Sequence, residues 1–209
     1  MSRPTGWEFA GEAKISALCW RLKSDHPYTK VLTHHCRIGQ EAGDYKLLQS
    51  LIQSADIVID ATAAHRVSHF LSDLCWELRR PYVWLTTTPG SAGGVVGRVL
   101  PGATSCWHCF QRAMTNGQVR VPADAGTTDV QPGGCSQPTF VGAGLDSDEI
   151  ALLASRLSVG TLCRGSESAY PDFDWNGAVV DLLRNGRSIA PEWTTYSWAP
   201  DPNCRCQRR

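Results

Sequence analysis

The sequence predicts an α/β fold with a mostly parallel sheet and flanking helices, on three observations. The run Ala55-Asp56-Ile57-Val58-Ile59-Asp60-Ala61-Thr62 is short, apolar and ends in a carboxylate and a hydroxyl, the pattern of a buried strand, most often a parallel one. Val67, Phe70, Leu71, Leu74 and Leu78 then recur at helical spacing until Arg79-Arg80-Pro81 stops the helix. Tyr82-Val83-Trp84-Leu85-Thr86 reads as a second strand, so the unit is strand, helix, strand with a right-handed crossover. Ligands of open parallel sheets sit beyond the carboxyl ends of the strands, where Asp60 and Thr62 fall.

The other elements follow in order. Glu12 to Leu22 is a helix with Ile15, Leu18, Cys19 and Leu22 on one face and Lys14 off it; His26-Pro27 ends it, because a residue before proline avoids the helical region. Val31 to Cys36 is a candidate strand, and Asp44 to Gln53 a short helix with Leu47, Leu48, Leu51 and Ile52 as its apolar face. Gly93 to Leu100 reads as a strand despite its glycines. Met114 to Gly134 is the longest stretch without periodicity, a length that usually marks a functional or disordered loop. Asp146 and Glu149 then form a capping box for a helix whose buried stripe is Ile150, Leu153, Ala154 and Leu157, widened by Leu152, Val159 and Leu162 until it is mostly enclosed. Ala178–Leu183 and Thr194–Trp198 are the last strands, ahead of a tail ending in Cys204-Arg205-Cys206.

At 209 residues the chain suits a single domain with a real core. Its formal net charge is zero, which speaks against nucleic-acid or membrane-surface binding. No apolar run reaches the ~20 residues of a membrane span, and Met1 is not followed by the order of a signal peptide. Nine cysteines in such a chain point to a reducing, cytoplasmic setting with thiols and a metal, not to a disulfide framework.

Cys106 and Cys109 have the spacing of half a zinc site, and Cys204 with Cys206 would complete a closed, structural set of four thiolates; the alternative is four unrelated reduced thiols. Asp60 beside Thr62 is a candidate for Mg²⁺ or a nucleotide, or else a carboxylate that caps the next helix. Lys14 is a candidate phosphate contact, or a solvated lysine. Cys135 lies at the end of the long loop, shortly before a helix, where a thiol of lowered pKa can act as a nucleophile; packing alone is the competing account. Cys19, Cys75 and Cys163 read as core residues, and His65 and His69 as structural, since no third ligand is evident.

Taken together, Gly11-Glu12-Ala13-Lys14, the Asp60 strand, Pro101-Gly102 leading to Cys106-x-x-Cys109, Gly134-Cys135-Ser136-x-Pro138-Thr139, Gly142-x-Gly144 and Cys204-x-Cys206 resemble the adenylating domain of the ThiF/MoeB and ubiquitin-activating enzyme family. The match spans nearly the whole chain and is closest to bacterial ThiF-like modules. The resemblance implies a Rossmann-like domain over 1–209, with a crossover loop at about 114–134 and a zinc-linked tail at 199–209. It also implies adenylation of the C-terminal carboxylate of a ubiquitin-like or sulfur-carrier protein by Mg-ATP. On that resemblance Lys14 contacts the ATP phosphates, Asp60 binds Mg²⁺, Cys135 is the thioester cysteine, and Cys106, Cys109, Cys204 and Cys206 hold the zinc.

The family's first strand, Gly-rich nucleotide loop, acidic ribose contact and Asn/Arg segment have no counterpart in these 209 residues, so the first βαβ nucleotide-loop unit is lacking. The expectation is therefore the C-terminal part of an adenylating enzyme, inactive alone and completed by a homodimer mate or a partner subunit or domain. The alternative is a catalytically incomplete, zinc-stabilised module that binds a ubiquitin-like protein or an active subunit. A nicotinamide-dependent oxidoreductase fragment is disfavoured by the missing dinucleotide fingerprint.

Overall fold

The computed structural model describes residues 9, 11–36, 38, 42–126, 142–167, 170–204 and 206. Helix α1 spans Lys14–Asp25, α2 Ala42–Ser54, α3 His65–Glu77, α4 Trp107–Thr115 and α5 Gly144–Leu162. The strands are β1 Val58–Asp60, β2 Tyr82–Thr87, β3 Gly93–Val99, β4 Gly177–Arg184 and β5 Arg187–Tyr196, in one sheet of order β1-β2-β3-β4-β5.

The sheet is mixed and mostly antiparallel, which corrects the mostly parallel expectation. Only β1 and β2 run parallel; β2–β3, β3–β4 and β4–β5 are antiparallel. The connections decide this. A parallel return needs about a dozen residues, whereas β2 reaches β3 through residues 88–92, which include one 3₁₀ turn at Pro89–Ser91. The β4–β5 hairpin turns on Asn185 and Gly186, both at positive φ (51° and 72°), the Asn-Gly signature of a type I′ turn.

Other expectations shift as well. Residues 30–36 form neither helix nor strand, so the Val31–Cys36 strand is absent. Helix α5 starts at Gly144 with Ala143 as N-cap, and Glu149 accepts a hydrogen bond from Trp193 Nε1 (3.2 Å) instead of closing a capping box with Asp146. Leu152, Val159 and Leu162 are exposed, so α5 is enclosed on one side only. Met114 and Thr115 belong to α4, residues 116–126 carry no helix or strand, and the rest of the expected 114–134 loop lies outside the described residues.

The pleat sorts the core onto both faces of the sheet. Tyr82, Trp84, Val95, Val99 and Val179 face α3 and α4. Val83, Val96 and Val180 face Ile150, Ala154 and Leu157 of α5. Strand β3 is buried throughout, and its glycines make that possible: a Cβ on Gly97 would lie 2.3 Å from the Trp84 ring, and one on Gly94 2.4 Å from Ile150 Cδ1.

Candidate functional site

At the end of β1 the Asp60 carboxylate is 2 % exposed. Its Oδ1 accepts from the Thr62 amide (2.9 Å) and hydroxyl (2.7 Å). Its Oδ2 accepts from the Ser68 hydroxyl and the Tyr82 hydroxyl, each at 2.7 Å. Buried carboxylates persist only when their lone pairs are satisfied, and here four donors fix the β1 end to α3 and β2. Burial, then the Asp60 charge, pushes the Tyr82 phenol above its ordinary range and the Cys75 thiol up to about 12. A cation bound directly at Asp60 would have to displace Thr62 or Ser68, so the arrangement as it stands does not fit Mg²⁺ ligation. Asp60→Asn would put an amide donor against hydroxyls that already donate, at an expected cost of about 1–3 kcal/mol. Urea unfolding measures it, and an unchanged midpoint would contradict the role of the network.

Beyond the ends of β1 and β2 lies a cavity of ≈ 280 Å³. Its floor is aromatic, from Trp84, Trp107 and Phe110, and its polar rim includes Ser68, Thr87 and Gln111. Ala63, also in its wall, sits at φ 54°, a left-handed conformation that a non-glycine residue keeps only when its surroundings impose it. Sequence reasoning missed Thr86-Thr87-Thr88, although hydroxyls at the carboxyl end of a parallel strand were a usable signal. Lys14 opens α1, is exposed and does not line this cavity. Cys135 lies outside the described residues.

On the same face of the sheet the structure brings Cys106, Cys109, Cys204 and Cys206 together, all four sulfurs within 4.8 Å of one another. The spacings are 3.7 Å for Cys106–Cys109, 3.4 Å for Cys106–Cys204 and 3.6 Å for Cys109–Cys206. Tetrahedral zinc–thiolate bonds of ~2.3 Å set sulfurs about 3.8 Å apart, so the residues fit a zinc ion, which they would hold without an open position. The Asp201 amide donates to Cys109 Sγ at 3.3 Å, as it would to a thiolate. Burial raises the thiols of Cys106 and Cys109, the latter to about 11; a bound dication reverses this by favouring the thiolates. Helix α4 thus carries Cys109, has Cys106 as its N-cap, and supplies Trp107, Phe110 and Gln111 to the cavity lining.

The cavity lies at the ends of the sheet's parallel pair, the place where open α/β sheets bind their ligands. The chain belongs to the ThiF family, a family of adenylating enzymes, whose model matches residues 7–164. The uncharacterized protein y4oA of Sinorhizobium fredii is 32% identical over 207 residues, covering 94% of this chain and 34% of that protein. Its y4qC from the same organism is 29% identical over 218 residues, covering 96% and 36%. The chain therefore spans about a third of the length of these curated relatives. Among solved structures it is similar to E. coli MccB with ATP (TM-score 0.58, 15% identity, covering 94% of this chain and 51% of that one). MccB with AMPCPP and MccA gives 0.60 at 14% identity, with the same 94% and 51% coverage. PaaA gives 0.55 at 13% identity, covering 90% and 55%. At these identities the likeness is one of fold. No helix among the described residues is long and apolar enough to cross a membrane.

Proposed function

We propose that this chain is the C-terminal part of an ATP-dependent adenylyltransferase that activates the C-terminal carboxylate of a ubiquitin-like, sulfur-carrier or peptide partner. The observation that carries the reading is the cavity at the ends of β1 and β2, in a chain of the ThiF family. A carboxylate oxygen of the partner attacks the α-phosphorus of ATP, an acyl–phosphate bond forms, and pyrophosphate leaves. Asp60 acts by positioning: it binds Thr62, Tyr82 and Ser68, and of these Ser68 lines the cavity. Lys14, exposed at the start of α1, is the proposed phosphate contact. Magnesium, when present, neutralises phosphate charge; no step here depends on Asp60 ligating it. The proposed partner tail fits the aromatic floor, with its carboxylate at the hydroxyl rim. An MccB structure holds MccA beside a nucleotide analogue, which supports a second substrate next to the nucleotide. Cys135 is the proposed acceptor of the acyl group: its thiolate attacks the acyl carbon, the acyl–phosphate bond breaks, and AMP leaves as the thioester forms.

Pyrophosphate exchange tests this. The 209 residues alone are expected to show none, because they contain no Gly-rich phosphate loop that follows a strand and opens a helix. Joined to such a segment they are expected to exchange. Lys14→Ala and the cavity-filling Thr87→Trp should then each lower the rate at least about tenfold, the loss of roughly 1.4 kcal/mol of transition-state stabilisation. Cys135→Ala should abolish a reductant-sensitive adduct with the partner and spare exchange. Robust exchange by the chain alone, or exchange indifferent to Thr87→Trp, contradicts the reading. The second reading, an incomplete binding module, is favoured by the exposed Leu145 and Leu152 one heptad apart on α5 (82 % and 61 % exposed). It predicts no exchange even after the loop is supplied.

A further inference from the structure

Helices α3 and α4 lie against each other, and their contact assembles a constellation that no cysteine belongs to. His69 and Asp73 are four residues apart on α3, hence on one face and one turn apart. His108 faces them from α4, between Cys106 and Cys109 in sequence. One ligand atom from each of the three lies within 4.8 Å of the others. His108 Nε2 is 2.8 Å from Asp73 Oδ1, and the His69 and His108 rings stand 4.6 Å apart, nearly perpendicular at 80°. These three residues, with Cys204, line a cavity of ≈ 330 Å³ open to solvent, distinct from the one at the strand ends.

We propose that His69, Asp73 and His108 form a second metal site, which takes a divalent transition-metal ion of zinc type. Two imidazoles and a carboxylate are the donor set for such ions. Metal–ligand distances of ~2.0–2.1 Å would place donor atoms about 3.3 Å apart in a tetrahedron. The present spread of up to 4.8 Å, and the 2.8 Å His108–Asp73 contact, reach that by small side-chain rotations. The site differs in kind from the four-cysteine cluster. Three protein ligands facing a solvent-filled cavity leave a coordination position for water or another donor, the mark of an exchangeable or reactive ion instead of a closed structural one. It depends neither on the cysteine cluster's holding zinc nor on the adenylation reading. The alternative is a plain His108–Asp73 ion pair with His69 beside it.

Cobalt(II) titration of the purified chain, with cobalt as the sole added metal, separates the two. Cobalt in the cysteine cluster gives thiolate charge-transfer absorption, and cobalt on two imidazoles and a carboxylate gives ligand-field bands without it. The expected result is a saturable thiolate-free class equal to one ion per chain. It should be lost in the His69→Ala/His108→Ala variant, while any thiolate class is unchanged. Asp73→Asn keeps an acceptor for His108 yet removes the anionic ligand. It should weaken the thiolate-free class by more than the roughly 10–100-fold typical of losing an outer-shell partner. Absence of a thiolate-free class in the unsubstituted chain overturns the proposal. So does its survival in both variants. Cobalt found only in the thiolate class assigns the trio to an ion pair, and a variant that misfolds is recognised by its lost circular-dichroism signal and replaced by Asp73→Asn as the deciding case.

Discussion

Cys106→Ser is expected to empty the four-cysteine cluster of zinc and to loosen the tail. Among the described residues, the tail's other anchors are the Trp198 side chain, packed in the core beside Trp84, and a few polar contacts. Ser105 donates to the Trp198 carbonyl (2.8 Å), Trp198 stacks edge-on against Phe110, and Arg112 pairs with Asp201 at the surface, a contact worth at most about 1 kcal/mol. Zinc held by four thiolates contributes on the order of 10 kcal/mol, comparable to the whole stability of an ordinary domain. The serine variant should therefore lose the metal, unfold at a markedly lower temperature and become open to proteolysis after Tyr196. Because Cys106 caps α4, which also lines the cavity, exchange by the chain joined to a phosphate-loop segment should fall with it. Metal analysis and limited proteolysis check this; a wild-type chain without zinc, or a variant with an unchanged midpoint, contradicts it.

Arg98→Met is expected to cost about 3 kcal/mol, for a different reason. Arg98 is a charged residue on a fully buried strand, 3 % exposed. Its guanidinium donates to Thr161 Oγ1 (3.2 Å), Asn176 Oδ1 (3.3 Å), the Phe173 carbonyl (2.8 Å) and the Asp172 carboxylate. Methionine fills the volume but withdraws the guanidinium from these acceptors, leaving Asp172 with Arg164 and the Phe173 amide, and breaking a buried pair costs roughly 3–5 kcal/mol. Asp172 is 29 % exposed and regains water, which sets the lower figure. Burial pushes the Asp172 carboxyl up, but the Arg98 hydrogen bond and charge hold it below the usual range. A carboxyl depressed in the folded state adds stability that is present above about pH 4 and lost as pH falls through the lower folded value. The variant should accordingly lose less stability than the parent on acidification below pH 4. Urea titrations at pH 7 and pH 3 read both effects, and an equal acid loss in the two proteins would contradict the assignment.

The central strand–helix–strand unit was legible because its information is local: an apolar run, a 3.6-residue periodicity and a proline stop. The direction of the remaining strands was also written locally, in Asn185-Gly186 and in the brevity of residues 88–92, but those signals sit in turns, and periodicity does not report them. Helix α4 escaped notice because its cysteine spacing reads equally well as a loop. The cysteine pairs could be matched from spacing alone, since a metal's demands on close neighbours are short-range. His69, Asp73 and His108 could not, because their meeting needs α3 and α4 to pack side by side, and the threonine rim needs β2 to end beside β1. The place of Asp60 at the end of β1 was legible, but the four donors that occupy it arrive from Thr62, Ser68 and Tyr82, which no linear pattern groups together.

The most direct measurement on the central claim is the identity of the products of ATP turnover when the chain, joined to a phosphate-loop segment, meets a partner protein or peptide with a free C-terminal carboxylate. Adenylation predicts AMP and pyrophosphate, formed only with the carboxylate present and lost in Thr87→Trp. ADP and phosphate, or turnover indifferent to the carboxylate, would contradict it.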